Sequence, residues 1–302
     1  MKALVISGGG SKGAFAGGVA EYLINQAGHD YKLFVGSSTG SLLIPQLALG
    51  NIKKVKQIYT NVNQSDIFSL NPFVTKREGN RTYVTINYLN TVIQFIKKKR
   101  TFGESKNLRK TIAKNFSKKE FNKAKCCDKD VVVTVANLSK NKVEYKSIQD
   151  FSYHDFIDWI WISCNMVPFM SIATKDGYEY ADGGFGSSVP IKEAVWRGAT
   201  EIDAIILEAE NMEQNKVLGK NPFSLMMNLF GFMLDQVEKN DIVAGKLAAV
   251  QRNVKLNLYY TPSQLTENSL VFNKKLMAEW WEDGYNYAKS KNYDNKVVYS
   301  ND

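Results

Sequence analysis

Three short stretches hold the residue types that acyl-transfer chemistry needs. The first is the pentapeptide Gly36-Ser37-Ser38-Thr39-Gly40, a G-x-S-x-G run. It follows an apolar stretch, Tyr31–Val35, and precedes a helical pattern from Ser41 to Leu49 that ends near Gly50. Strand, sharp turn and helix form the context in which such a serine is lifted from the backbone as a nucleophile. The helix start beneath it favours developing negative charge. The plainer reading is a serine-capped helix start. The second stretch is GGGSKG, Gly8 to Gly13, between the apolar run Lys2–Ser7 and a helix over Ala14–Gln26. Glycines there let backbone N–H groups converge on an anion. Gly8, Gly10 and Gly13 also satisfy G-x-G-x-x-G, but no acidic residue closes a second strand about 20 residues on, as a dinucleotide site requires. A nucleotide P-loop fits worse, because Gly13 follows Lys12 where Ser or Thr is needed. The third stretch is Tyr178–Asp182 followed by Gly183 and Gly184. An aspartate at a strand end can present its carboxylate to a neighbouring turn and take a proton from a serine.

Histidine, the usual base, is poorly placed. The chain has two, His29 and His154. His29 lies in a Gly-His-Asp turn before the Ser38 strand, at its opposite end. His154 sits at a helix start. No histidine follows the acid, as the hydrolase order of nucleophile, acid and histidine demands. Both read as ordinary surface or capping residues, and Asp182 remains as the alternative base.

The elements that must position these groups alternate. Strands are expected at Lys2–Ser7, Tyr31–Val35, Asp130–Leu138, Ile202–Leu207 and Leu256–Thr261. Val143–Ile148 reads as a hairpin partner across Ser139–Asn141. Helices are expected at Ala14–Gln26, Ser41–Leu49, Ile52–Asn61 and Phe223–Val254, with a last one over Lys274–Lys291. Another starts at Ser152, with Asp155 three residues on as in a capping box, and runs toward Pro168. Residues Asn63–Thr101 show no clear pattern beyond turn residues at Asn71–Pro72 and Gly79–Asn80. The alternation implies a layered α/β fold with a mostly parallel sheet. With no repeat and no linker, the 302 residues read as a single domain.

Composition narrows the class. Hydrophobic residues make up 44% and charged residues 23%, which excludes disordered and low-complexity chains. No apolar run reaches the roughly 18 residues of a membrane span, and the apolar start is too short for a signal peptide. Three cysteines, Cys126, Cys127 and Cys164, make neither a disulfide framework nor a zinc spacing. A cytoplasmic, reducing location is expected, with peripheral membrane contact as an option. The net charge is +9, and the segment Lys97–Asp130 carries all of it, with 13 basic and 4 acidic residues. Such a patch suits anionic headgroups or is simply a solvated helix face. A nucleic-acid partner is not expected, since interleaved aromatics on a binding fold are missing.

In its order of GGGSKG, GSSTG and DGG the chain resembles the patatin-like phospholipases. The likeness extends to Val132–Leu138, to the run SCNMVPFM, Ser163 to Met170, and to the stretch from Tyr178 to Ala194. It covers residues 1–50 and 130–207 well, with 208–302 as a C-terminal helical part of the same domain. The resemblance implies a layered α/β/α fold and a lipid acyl hydrolase without cofactor or metal. It assigns Ser38 as nucleophile and Asp182 as base, with Gly8, Gly9 and Gly10 as oxyanion hole. Lys12 and Gly13 would support the loop, and Gly36 and Gly40 would shape the elbow. Two stretches depart from the family pattern: Asn165-Met166-Val167 before the proline, and Ser187-Ser188 where many members carry Asn. An esterase or acyltransferase using the same residues, and a non-catalytic lipid-binding scaffold, are the alternatives. Two segments offer interfacial contact, the basic run and Asn221–Asp235, which is rich in Phe, Leu and Met. Trp280 and Trp281 read as packing residues.

Overall fold

The structure is a computed structural model that describes residues 1–78, 81–210, 222–266 and 268–299. Its elements run in the order β1 (Lys2–Ile6), α1 (Gly13–Asn25), β2 (Leu33–Ser37), α2 (Thr39–Ala48), α3 (Ile52–Asn61), α4 (Gln64–Ile67), β3 (Phe73–Glu78), β4 (Arg81–Ile86), α5 (Tyr88–Ile96), α6 (Lys106–Asn115) and α7 (Lys118–Cys126). There follow β5 (Asp130–Asn137), β6 (Lys142–Ser147), α8 (Tyr153–Ser163), β7 (Ala173–Lys175), β8 (Tyr178–Asp182), α9 (Ile191–Trp196), β9 (Glu201–Ala209), α10 (Pro222–Gln251), β10 (Lys255–Thr261) and α11 (Lys274–Tyr299).

Eight strands form one sheet in the order β10-β9-β1-β2-β5-β8-β7, with β6 also paired to β5. β10, β9, β1, β2 and β5 run parallel to one another, while β6 and β8 are antiparallel to β5 and β7 is antiparallel to β8. Side chains alternate between two cores, as the strand pleat requires. Leu4, Ile6 and Phe34 face the larger core with α1, α2, α8 and α11. Ala3, Val5, Leu33 and Val35 face a second core with α9 and part of α10. Helices on both faces of a mostly parallel sheet make the expected α/β/α layering. The Ser152 side chain caps α8 by accepting from the Asp155 N–H. Trp281 packs in the core beneath Gly17 and Gly18. The segment without a sequence pattern, 63–101, holds α4, the antiparallel pair β3–β4 and α5. Its turn residues Gly79–Asn80 lie outside the described residues, as does Asn221.

One feature of the register positions the chemistry. Residues 132–137 of β5 pair with β6 along one edge. The opposite edge is shared: residues 130–134 take β2, and residues 135–137 take β8. The two strands run in opposite senses, so their C-terminal ends meet. Ser37 pairs with Thr134 and Asp182 pairs with Val135. The residues that follow β2 and end β8 are thereby brought to one point.

Candidate active site

Ser38 stands at that point in a conformation that side chains rarely adopt, with φ 51° and ψ −120°. Such strain persists only where the surroundings enforce it. A Cβ on Gly36 would lie 2.5 Å from the Gly40 carbonyl carbon, and one on Gly40 would lie 2.2 Å from the Ile6 oxygen. Both glycines are therefore required for the turn to close. Three bonds hold the elbow from the end of α8 and the start of α2. The Ser38 N–H donates to Ser163 Oγ at 3.0 Å. The Cys164 thiol donates to the Ser38 carbonyl at 3.1 Å. Ser41 Oγ donates to the Gly36 carbonyl at 2.8 Å and lies 2.9 Å from Ser163 Oγ.

Asp182 is wholly buried. Its Oδ1 accepts the Gly184 N–H at 2.8 Å, and its own N–H donates to the Asn165 carbonyl at 3.0 Å. Burial pushes the carboxyl pKa up from 3.8 to about 7, against the opposing pull of the Ser38 hydroxyl and the Gly184 N–H. Beyond the nearby Ser38 hydroxyl, Oδ2 has no hydrogen-bond partner among the described residues. Gly183 packs so tightly on the Thr134 carbonyl that a Cβ there would come within 2.3 Å of it, and within 2.9 Å of Ser37 Oγ.

The glycine loop lies against the serine, since a Cβ on Gly8 would meet the Ser38 Cβ at 3.4 Å. The Gly8 N–H is already committed, donating to the Ser188 carbonyl at 3.1 Å. Among the described residues, the N–H groups of Gly9 and Gly10 have no acceptor. Gly10 has φ 54°, and a Cβ there would fall 2.2 Å from the Ser269 carbonyl oxygen. That same oxygen accepts the Ser11 N–H at 2.8 Å and pins the loop. Lys12 is buried and ion-paired with Glu208 at the end of β9. Behind the loop, Ser188 Oγ donates to Glu238 Oε2 at 3.3 Å, and the Val189 N–H donates to Asp241 Oδ2 at 3.1 Å. Burial pushes Glu238 up to about 7 and Asp241 up to about 6. Ser163, Ser188, Glu238 and Ser269 thus belong to the site although sequence reasoning passed over them. The one available signal was the Ser187-Ser188 departure from the family pattern.

Both histidines stand apart. His154 is exposed at the start of α8, against the Tyr153 ring. His29 is more than a surface turn residue. Its Nδ1 lies 2.9 Å from Asp203 Oδ2 and 3.1 Å from the Tyr31 hydroxyl, at the end of the sheet opposite Ser38. With hydrogen bonds from His29, Tyr31 and Asn257, and with Lys2 nearby, Asp203 is held down at about 2 despite its burial. The cysteines are free, and Cys164 is buried. Among the described residues no group of three His, Cys, Asp or Glu side chains could hold a metal ion.

An apolar cavity adjoins Ser38. Its empty space is about 930 Å³, part of it open to solvent. Three helices each give it one face at helical spacing. These are Thr39, Leu42, Pro45 and Gln46 of α2; Val55, Ile58 and Tyr59 of α3; and Leu108, Thr111, Ile112 and Asn115 of α6. The cross-links set its direction. Tyr59 bonds Thr39 at the Ser38 end, at 2.7 Å. At the far end Gln46 Nε2 donates to the Asn115 carbonyl at 2.7 Å and to Glu120 at 3.1 Å, and its Oε1 accepts from Asn51 at 2.7 Å. A satisfied polar side chain therefore closes the floor, two turns of α2 below the serine.

The family model for patatin-like phospholipases matches residues 4–195. The chain belongs to this family. Hydrolysis of lipid acyl esters is the activity the family name describes. Among solved structures, this patatin-like chain is similar to the crystal structure of VipD from Legionella pneumophila, with a TM-score of 0.53 and 14% identity. The alignment covers 96% of this chain and 66% of that one, so the chain spans just under two thirds of VipD, and the likeness is one of fold. A comparison with curated proteins found no match. Among the described residues no helix is long and apolar enough to cross a membrane.

Proposed function

We propose that the chain is a phospholipase A-type acyl hydrolase in which Ser38 is the nucleophile and Asp182 the base. The observation that carries this reading is a strained serine between a buried carboxyl that titrates near neutrality and the mouth of an apolar cavity. A base is most effective when its pKa lies near the working pH. Ser38 Oγ attacks the ester carbonyl as its proton passes to Asp182 Oδ2. The oxyanion sits on the Gly9 and Gly10 N–H groups, each worth about 3 kcal/mol in the transition state. Gly8 contributes by holding the loop through Ser188. Collapse breaks the bond to the alcohol, which leaves as a lysolipid with the proton from Asp182. Water then attacks the acyl-serine, giving its proton to Asp182. The fatty acid departs, and the proton returns to Ser38. The cavity takes the acyl chain, with Gln46 as its floor.

The test uses purified wild type, Ser38→Ala and Asp182→Asn with mixed phospholipid vesicles and product mass spectrometry. Fatty acid and lysolipid are expected from the wild type alone. Equal products from either variant refute the dyad, and a new acyl ester in place of free fatty acid makes the protein an acyltransferase.

A further inference from the structure

The helix α5 is built inside out. Its buried side chains are polar, Thr91 and Gln94. Its apolar side chains, Tyr88, Leu89, Val92, Phe95 and Ile96, are between 52% and 76% exposed. They recur at i, i+1, i+4, i+7 and i+8, which is one face of a helix. A helix in water buries that face; one at a lipid interface presents it. Directly after it come Lys97, Lys98, Lys99 and Arg100, all exposed. Arg100 pairs with Glu179, and Lys99 lies 3.8 Å from Glu104. Lys97 and Lys98 have no carboxylate partner among the described residues.

This face is continuous with the site. The Phe95 ring lies 6.4 Å from Phe102, Phe102 lies 5.9 Å from Phe169, and Phe169 lies 6.2 Å from Phe230 of α10. Phe230 in turn lies 5.6 Å from Phe185, three residues beyond Asp182. Next to Phe169, Met170 lines the cavity. Beyond Phe230, α10 exposes a second apolar face of Leu225, Leu229, Phe232 and Met233, 47% to 64% exposed. Two apolar helix faces thus flank the dyad, joined by a row of aromatic rings.

We infer that α5 and the first turns of α10 form a platform that seats the protein on an anionic phospholipid surface, with Lys97 and Lys98 on the headgroups. The inference rests on the acyl-hydrolase reading, under which the platform holds the protein at the surface where its ester substrate lies. The charge points to lipid: the unpaired lysines adjoin the apolar face, and one anionic bilayer satisfies both together. Elsewhere in the basic segment Lys106 pairs with Glu104, Arg109 with Asp158 and Lys129 with Asp30.

Binding is measured by co-sedimentation of the full chain carrying Ser38→Ala, so that turnover is not required. The vesicles are pure phosphatidylcholine, or phosphatidylcholine with phosphatidylserine. Binding to the mixed vesicles should fall roughly ten-fold in Lys97→Glu/Lys98→Glu. It should fall at least as far in Leu89→Ser/Ile96→Ser, whose side chains are too exposed to affect folding. In the Ser38-containing background, Leu89→Ser/Ile96→Ser should hydrolyse a soluble short-chain ester at the wild-type rate while losing vesicle hydrolysis. Binding without any hydrolysis would support the platform and refute the hydrolase reading. Vesicle binding that is absent, or unchanged in both double variants, overturns the platform. So does a stable dimer in sedimentation velocity that Leu89→Ser/Ile96→Ser dissociates, for then α5 seats a second copy.

Discussion

Replacing Asp182 by Asn should abolish turnover and also make the protein more stable at neutral pH. Asn keeps the carbonyl oxygen that accepts the Gly184 N–H at 2.8 Å, and it carries no charge to bury. The native carboxyl titrates at about 7 against an ordinary 3.8. The folded state therefore holds a proton that the unfolded chain releases. This group's contribution to stability is fully present below pH 4 and is lost as pH rises to 7. A gap of about three units corresponds to roughly 4 kcal/mol at pH 7 and above. For 302 residues the entropy of unfolding is about 0.6 kcal/mol/K, so the expected rise in Tm is about 6 °C. Glu238 and Asp241 titrate over the same range in the same direction, but they do so in both proteins and cancel in the difference. The assay is a thermal melt of wild type and Asp182→Asn from pH 4 to 8. The two curves should converge at pH 4 and separate progressively toward pH 7. In parallel, wild-type kcat/KM on a soluble ester should rise with pH through a midpoint near 7. A difference that does not vary with pH, or a variant that melts lower at pH 8, would refute the argument that a buried carboxylate is held at a cost for its basicity.

Three further outcomes follow from the geometry. Leu42→Trp should block the cavity one turn of α2, about 5 Å, from Ser38; kcat/KM for a ten-carbon ester should drop at least roughly ten-fold while a four-carbon ester is spared, as read from a chain-length series. Gly10→Ala should lower kcat on a soluble ester about 100-fold or more, because φ 54° and the Ser269 oxygen leave no room for a methyl group; circular dichroism checks that the fold persists. His29→Ala should lower stability by about 1–2 kcal/mol through the loss of a bond to a charged Asp203, and kcat should not change, since the residue lies at the far end of β2.

How far the sequence disclosed this arrangement depends on the range of each interaction. The elbow was legible because a G-x-S-x-G run between a strand and a helix is a local pattern, and Gly36 relieves a clash within the turn itself, although Gly40 makes room for the distant Ile6 oxygen of β1. The two-sided sheet was legible because Val5 and Ile6, or Phe34 and Val35, simply alternate. The braces were not. Ser163, Ser188 and Ser269 act through one or two bonds each to residues far away in the chain, and serine has no periodicity that marks it as a brace. The placement of Asp182 depends on β8 sharing an edge of β5 with β2, a matter of pairing that a lone D-G-G cannot reveal. Helix α5 was illegible for a different reason. It lies in the stretch 63–101 in which the sequence showed no clear pattern, and only the structure shows that Thr91 and Gln94 take the inside.

The shared edge of β5 has a consequence for the rest of the chain. The proposed nucleophile and base are indexed against adjacent residues of one strand, since Ser37, just before Ser38, pairs with Thr134 and Asp182 pairs with Val135. Their separation is thus independent of how the polypeptide travels between them. The stretch from 50 to 129 can lengthen, shorten or change its surface without disturbing the distance between the two reacting groups. Helix α5 lies in that stretch. The fold in effect separates a fixed gauge for the two groups from a variable stretch that carries both α5 and much of the cavity wall, Val55, Tyr59, Leu108 and Ile112 among it, so that replacing the exposed surface of α5 alone should redirect the protein without retuning it.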